Sequence, residues 1–199
     1  MDFEFEIFQH PGFQGAPVAG SLLVASPRLR EPYFRNGVVL LLERDEKMGY
    51  LGLTVNLRTK LTLSDLMRME LPAGSLPVFS GGPVDETRLF MIHTLGEDVG
   101  AIKELLPGIY VGGELEQLAS FLKTEETSES SIRFYLGYSG WCEGQLEEEI
   151  DEGYWGVLPP EASGMIFDGD GKDFWRKAVR MLGENYKSWL LMPDDPRDN

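Results

Sequence analysis

Five consecutive aliphatic residues, Val38-Val39-Leu40-Leu41-Leu42, constrain this chain more than any other feature. Successive side chains of a strand point to opposite faces, so such a run is stable only in a sheet covered on both sides. It is also the longest aliphatic run in the chain, far short of the ~20 apolar residues that a membrane-spanning helix needs. A strand covered on both faces is therefore expected at residues 38–43, and no membrane span.

The chain has room for one such core. At 199 residues, size scaling leaves roughly 70% of the extended chain's surface buried on folding. Its 42% hydrophobic content is that of a globular protein. Further strands are expected at residues 21–26, which end at Pro27, and at residues 51–55, paired with 38–43 as a hairpin across Lys47-Met48-Gly49. Residues 89–94, 109–111 and 132–138 read as strands. Helical spacing appears at Leu63, Leu66 and Met67, ending before Pro72, and at Leu115, Leu118, Ala119 and Leu122. It recurs over residues 145–152 and at Phe174, Trp175, Ala178, Met181 and Leu182, where Gly183 closes the helix. Residues 123–131 read as an exposed loop. Residues 1–18 read as an N-terminal arm that packs by occasional aromatics, and 193–199 as a polar tail. Strands fall in clusters with irregularly placed helices, so the expected fold is a single α+β domain, 1–199. Its sheet would be curved, mixed and partly barrel-like, with several short flanking helices.

Charge narrows the function. Eighteen Lys and Arg against 33 Asp and Glu leave a net charge of −15. Nucleic acid and anionic membrane surfaces, which both require clustered cations, are poor partners for such a chain. The single cysteine, Cys142, cannot form an intrachain disulfide or a multi-thiolate metal site. With no signal-peptide pattern at residues 1–6, this points to a reducing cytoplasm.

Candidate chemistry concentrates around Gly137-Tyr138-Ser139-Gly140-Trp141. A nucleophile elbow is Gly-x-Ser-x-Gly, and here Trp141 occupies the last position, while neither His10 nor His93 follows Ser139 in the chain. The segment reads instead as architecture. Gly137 and Gly140 would permit a tight turn with φ > 0, with Tyr138 and a buried Trp141 packing beside it. Gly81-Gly82-Pro83 reads as a chain reversal, because Pro83 removes a donor and no Lys-Ser/Thr follows as a phosphate loop requires. The acidic run of Glu143, Glu147, Glu148, Glu149, Asp151 and Glu152 reads as a solvated helix face. Residues 168–171 lack the spacing of a calcium loop. No catalytic residue, cofactor or metal is therefore assigned. The first functional reading is a non-enzymatic cytoplasmic binding or regulatory module acting through protein partners. The alternative is an enzyme or small-ligand binder whose pocket gathers Asn56, His93, Ser139 and Gln145.

Taken in order, the segments resemble the YqgE/AlgH family of bacterial proteins. The matching residues are Ser21-Leu22-Leu23-Val24-Ala25-Ser26-Pro27, Phe34, Val38-Val39-Leu40-Leu41 and Gly52-Leu53-Thr54-Val55-Asn56. They continue with Gly81-Gly82-Pro83-Val84, His93, Arg133-Phe134-Tyr135-Leu136-Gly137-Tyr138-Ser139-Gly140-Trp141, Gly144-Gln145-Leu146-Glu147, Glu149 and Trp155. One departure is Leu57-Arg58 after Asn56, where the family has Arg-Pro. The resemblance implies a single α+β domain in the bacterial cytoplasm and supplies no activity. One member's name ties the family to control of alginate transcription, and for a chain this acidic a protein partner is the more physical route than DNA.

Overall fold

The computed structural model describes residues 17–45, 49–67, 76–124 and 127–192. Most of the expected arm, the 193–199 tail, Lys47 and Met48 of the hairpin turn, and the approach to Pro72 lie outside these residues.

Ten strands are present among the described residues: β1 (Leu22–Ala25), β2 (Val38–Asp45), β3 (Gly49–Thr54), β4 (Arg58–Thr62), β5 (Pro77–Ser80), β6 (Val84–His93), β7 (Lys103–Leu106), β8 (Ile109–Val111), β9 (Ile132–Trp141) and β10 (Trp155–Leu158). Helices α1 (Leu63–Met67), α2 (Leu115–Thr124), α3 (Gln145–Asp151) and α4 (Gly171–Leu182) flank them, with short 3₁₀ turns between. The strands form one sheet in the order β10-β1-β2-β3-β9-β6-β8-β7, with β4 and β5 branching from β9. Pairing is antiparallel except for β5 on β9, which is parallel. The expected α+β domain with a mixed sheet is thus the observed one, and the sheet curls without closing.

The Val38–Leu42 run does what its pattern requires. Val38, Leu40 and Leu42 join Leu22, Val24, Phe174, Trp175, Ala178 and Val179 in a core beneath α4. Val39 and Leu41 enter a second core with Leu23, Ala25, Trp141, Leu146 and Trp155. A third core packs α1 and α2 on the β5–β9–β6 end. Gly183 ends α4 with φ +99 and its N–H on the Arg180 carbonyl.

Strand β9 corrects the expectation of a turn at residues 137–141. It continues as strand through Trp141, because the chain changes partner there instead of reversing. Phe134–Leu136 pair with β5 on one edge, and Ser139–Trp141 then pair with β3, while β6 runs along the other edge. Gly137, at φ +71, absorbs the irregularity at the changeover. Gly140 does not have a positive φ, and a Cβ there would meet nothing closer than 3.5 Å, so its freedom is not needed.

The need lies instead at residues 81–82, whose backbone rests directly on β9. A Cβ on Gly82 would sit 1.8 Å from the Tyr138 carbonyl carbon, and one on Gly81 would sit 2.4 Å from the Gly137 oxygen. Neither neighbour is a flexible side chain, so neither can move aside. The expected outcome is that Gly82→Ala loses more than about 3 kcal/mol. Gly140→Ala should stay within about 1 kcal/mol of the parent chain. Urea unfolding of both variants measures the contrast.

Candidate functional site

The four polar residues read from sequence as pocket candidates do not converge. Asn56 is buried and fully engaged. Its Oδ1 accepts the Val38 N–H at 2.8 Å, and its Nδ2 donates to the carbonyls of Asn36 and Gly171, each at 2.8 Å. The Gly171 N–H returns a bond to the Asn56 carbonyl. One amide side chain therefore ties β2, the turn before it and the start of α4 together, with no polar atom left for a ligand.

His93 is equally committed. Its Nδ1 accepts the Leu95 N–H at 3.2 Å, so Nε2 carries the proton and donates to the Gly112 carbonyl at 2.8 Å. The ring stacks on Tyr110 with centroids 5.7 Å apart. His93 pairs with Ile132, and Ser139 lies seven residues further along β9, roughly 20 Å away at strand rise. It cannot serve as a base for that hydroxyl. Ser139 is itself buried, its Oγ 3.3 Å from the Gly81 carbonyl to which it donates.

Ser139 and Gln145 do share a cavity, of about 340 Å³. Its walls come from the loop after β1 (Arg28, Leu29, Arg30, Glu31, Phe34), the end of β9, α3, and Tyr154-Trp155. Trp141 and Trp155 meet edge to face at 5.9 Å, and Phe34 packs on both, at 6.4 and 5.4 Å. Glu149 holds this aromatic cluster together. Its Oε2 accepts both indole N–H groups, from Trp141 at 2.9 Å and Trp155 at 2.7 Å. Its Oε1 accepts from Gln145 Nε2 at 2.8 Å, and Gln145 Oε1 in turn accepts the Cys142 N–H at 3.1 Å.

This corrects the reading of the acidic helix as a solvated face. Glu148 and Glu152 do face outward, but Glu149 turns in, and Glu147 accepts the Tyr50 hydroxyl at 2.9 Å. Burial and the Glu147 carboxylate push the Tyr50 hydroxyl up to about 12. A signal for Glu149 exists in the sequence: buried indoles need acceptors, and two tryptophans bracket a helix rich in carboxylates. The preceding loop is marked in the sequence by its arginines, but only the fold sets Arg28 and Arg30 beside the aromatic cavity.

The loop is electrostatically anomalous. Residues 27–35, Pro-Arg-Leu-Arg-Glu-Pro-Tyr-Phe-Arg, hold three arginines against one glutamate in a chain of net charge −15. Arg28, Arg30 and Glu31 are exposed, and among the described residues neither of these two guanidiniums makes an ion pair or a side-chain hydrogen bond. The Glu149 charge at the floor is already met by three N–H donors. Unmet bonding capacity at this site is therefore mainly cationic. No group of three or more His, Cys, Asp or Glu arranged to hold a metal occurs among the described residues, and no helix of the structure is long and apolar enough to cross a membrane.

Comparison with known proteins follows the same lines. A family model described as AlgH-like (DUF179) matches residues 22–187. The chain is 36% identical to a UPF0301 protein of Parabacteroides distasonis over 90% of each chain. It is 32% identical to one from Bacteroides thetaiotaomicron over the full length of both. The solution structure of the AlgH protein from Pseudomonas aeruginosa superposes with a TM-score of 0.67 at 25% identity, covering 91% of this chain and 98% of that one. The crystal structure of protein DIP2367 from Corynebacterium diphtheriae gives 0.69 at 20% identity over 88% and 92%, a likeness of fold.

Two outcomes are expected from these contacts. Glu149→Ala strands two buried indole N–H groups and should cost roughly 2–6 kcal/mol, at about 1–3 for each unsatisfied donor. Glu149→Gln, which keeps an acceptor, should cost clearly less; chemical denaturation of both checks this. For His93, desolvation by burial lowers the pKa below the ordinary 6.5, outweighing the Gly112 bond that raises it. The unfolded chain then binds more protons than the folded one between the two values, so His93 stabilises above about pH 6.5 and the benefit is lost as pH falls below it. Unfolding free energies at pH 7.5 and 5.5 should converge more steeply toward instability in the parent than in His93→Gln.

Proposed function

The chain belongs to the AlgH-like family, and from that premise we propose that it is a non-enzymatic cytoplasmic binding or regulatory module acting through a protein partner. The contact is an acidic segment of that partner carrying an aromatic or aliphatic anchor. The carrying observation is the pair Arg28 and Arg30, without partners among the described residues, at the rim of the Phe34–Trp141–Trp155 cavity. Arginine beside tryptophan is the composition of energetic hot spots in protein interfaces. Guanidinium groups take carboxylates in bidentate pairs, and the aromatic floor offers an apolar seat for one neighbouring side chain. A cavity of this size holds one or two side chains and not a large cofactor.

The surrounding charge supports the same reading. A net −15 repels acidic segments everywhere except at a local cationic patch, so long-range repulsion favours approach at this loop over the rest of the surface. Ser139, lying in the same cavity, donates to the Gly81 carbonyl, and His93, the one histidine among the described residues, lies too far along the sheet to act as its base.

An acetylated Glu-Glu-Phe-Glu-Glu peptide titrated into the protein tests the proposal, read by the fluorescence of Trp141 and Trp155. Saturable binding is expected, weakened at least tenfold by Arg28→Ala with Arg30→Ala and progressively by salt between 50 and 500 mM. Binding untouched by both arginine substitutions, or no saturable signal, overturns it. Salt-insensitive binding of a neutral aromatic compound would favour the small-ligand reading instead.

A further inference from the structure

A second and larger cavity, of about 430 Å³, shares no lining residue with the arginine-rimmed one. Its origin lies in the strand lengths. Strand β8 pairs with β6 only at Ile92 and His93, and the Gly112 N–H then closes on the Met91 carbonyl before the chain turns away at Gly112, φ +74. Among the described residues no strand continues beside residues 88–90 on that edge of β6, and the cavity opens there. Leu42 and Leu51 line it from β2 and β3, Phe90 and Met91 from β6, and Phe134 from β9. Large apolar side chains at its margin stand in solvent: Leu89 is 39% exposed, Ile102 75% and Leu115 61%. An apolar hollow whose margin is itself apolar and wet is the usual form of a ligand site.

The charges around it are few and unequal. Arg88 and Lys103 line the cavity against one carboxylate, Glu43. The Arg88 guanidinium is held 5.0 Å over the Phe90 ring, a cation–π contact that keeps it at the apolar wall while spending none of its N–H donors. Lys103 Nζ donates one long bond, 3.4 Å, to the Leu42 carbonyl, and its other two N–H groups remain for a further acceptor. None of these three side chains makes an ion pair among the described residues. The lining therefore carries a net charge of one positive unit, within a chain whose total is −15. Anions are repelled by most of such a surface and gather where cation is in excess.

We propose that this cavity binds an unbranched fatty monocarboxylate of about ten carbons, a length that suits a hollow of this volume. The alkyl chain lies along Leu42, Leu51, Phe90, Met91 and Phe134 and covers Leu89, Ile102 and Leu115. The carboxylate is met by the Arg88 guanidinium and the Lys103 ammonium, charge-assisted bonds at the one polar part of the lining. A single negative charge balances the lining, whereas a doubly charged phosphate would exceed it. The site stands apart from the arginine-rimmed cavity, and neither assignment depends on the other.

Decanoate titrated into methyl-labelled protein tests this, with the methyl resonances of Leu89, Ile102 and Leu115 as the readout. Saturable shifts of these methyls are expected. Affinity should rise roughly two- to fourfold for each methylene added from hexanoate to decanoate, the increment for burying an alkyl chain. Arg88→Ala with Lys103→Ala should weaken decanoate by roughly fivefold or more. Ile102→Glu, at a position already in solvent, should remove binding, while Arg28→Ala with Arg30→Ala should leave it unchanged. Methyls of Leu23 and Leu41 report that each variant remains folded. The proposal is overturned if no saturable shift reaches the three methyls, or if the shifts fall instead on Leu29 and Val84 of the other cavity. Decanol binding as tightly as decanoate, or indifference to loss of both cations, overturns it equally.

Discussion

The whole arrangement depends on two stretches of main chain lying against each other with nothing between them. Residues 81–82 cross β9 at Gly137 and Tyr138, and any side chain atom at 82 would fall inside the Tyr138 carbonyl. That contact is what lets β9 serve two halves of the sheet. Its first half is bracketed by β5 and β6, its last three residues by β3, and the Gly81 N–H and carbonyl stitch Leu136 to Thr54 across the junction. Widening the crossing by one methyl group would force a choice between these partners. The aromatic cavity lies immediately beyond, on the same strand, so its geometry inherits the precision of the crossing.

Much of the fold was legible because its cores are written as periodicities. Val38–Leu42 feeds two cores by simple alternation, and Phe174, Trp175, Ala178 and Val179 mark the buried stripe of α4. The misses have identifiable causes. Strand β4, Arg58–Thr62, is polar and mostly exposed, so no apolar pattern advertises it. Strand β10 contains Gly156 and is short, and it forms because β1 offers it an edge. The expected turn after Gly137 was a sound local inference from two glycines and a serine. It failed because strand continuation there is decided by a partner, β3, some ninety residues earlier in the chain.

The site was less legible than the fold, for a related reason. Asn56 and His93 looked like pocket residues because polar side chains at strand ends often serve ligands. Each instead closes a set of main-chain bonds, a role that depends on groups distant in sequence. Glu149 looked like one of many surface carboxylates. Its distinction is that two strands, β9 and β10, and its own helix all present N–H donors to it. Such convergence is a property of three-dimensional placement, and only the demand of buried indoles for acceptors hints at it beforehand.

The position of β1 has a consequence for how this chain acquires its shape. On one side β1 has β2, its near neighbour in sequence, and on the other β10, which joins only after nearly the whole intervening chain has been made. Long-range pairings of this kind slow folding, because loop closure must precede any reward. In the interval the outer edge of β1 presents bare main-chain donors and acceptors on the apolar stretch Leu22-Leu23-Val24-Ala25, which is the template on which nascent chains aggregate. Yield at the ribosome should thus be governed less by the stability of the finished domain than by how quickly the last strand arrives.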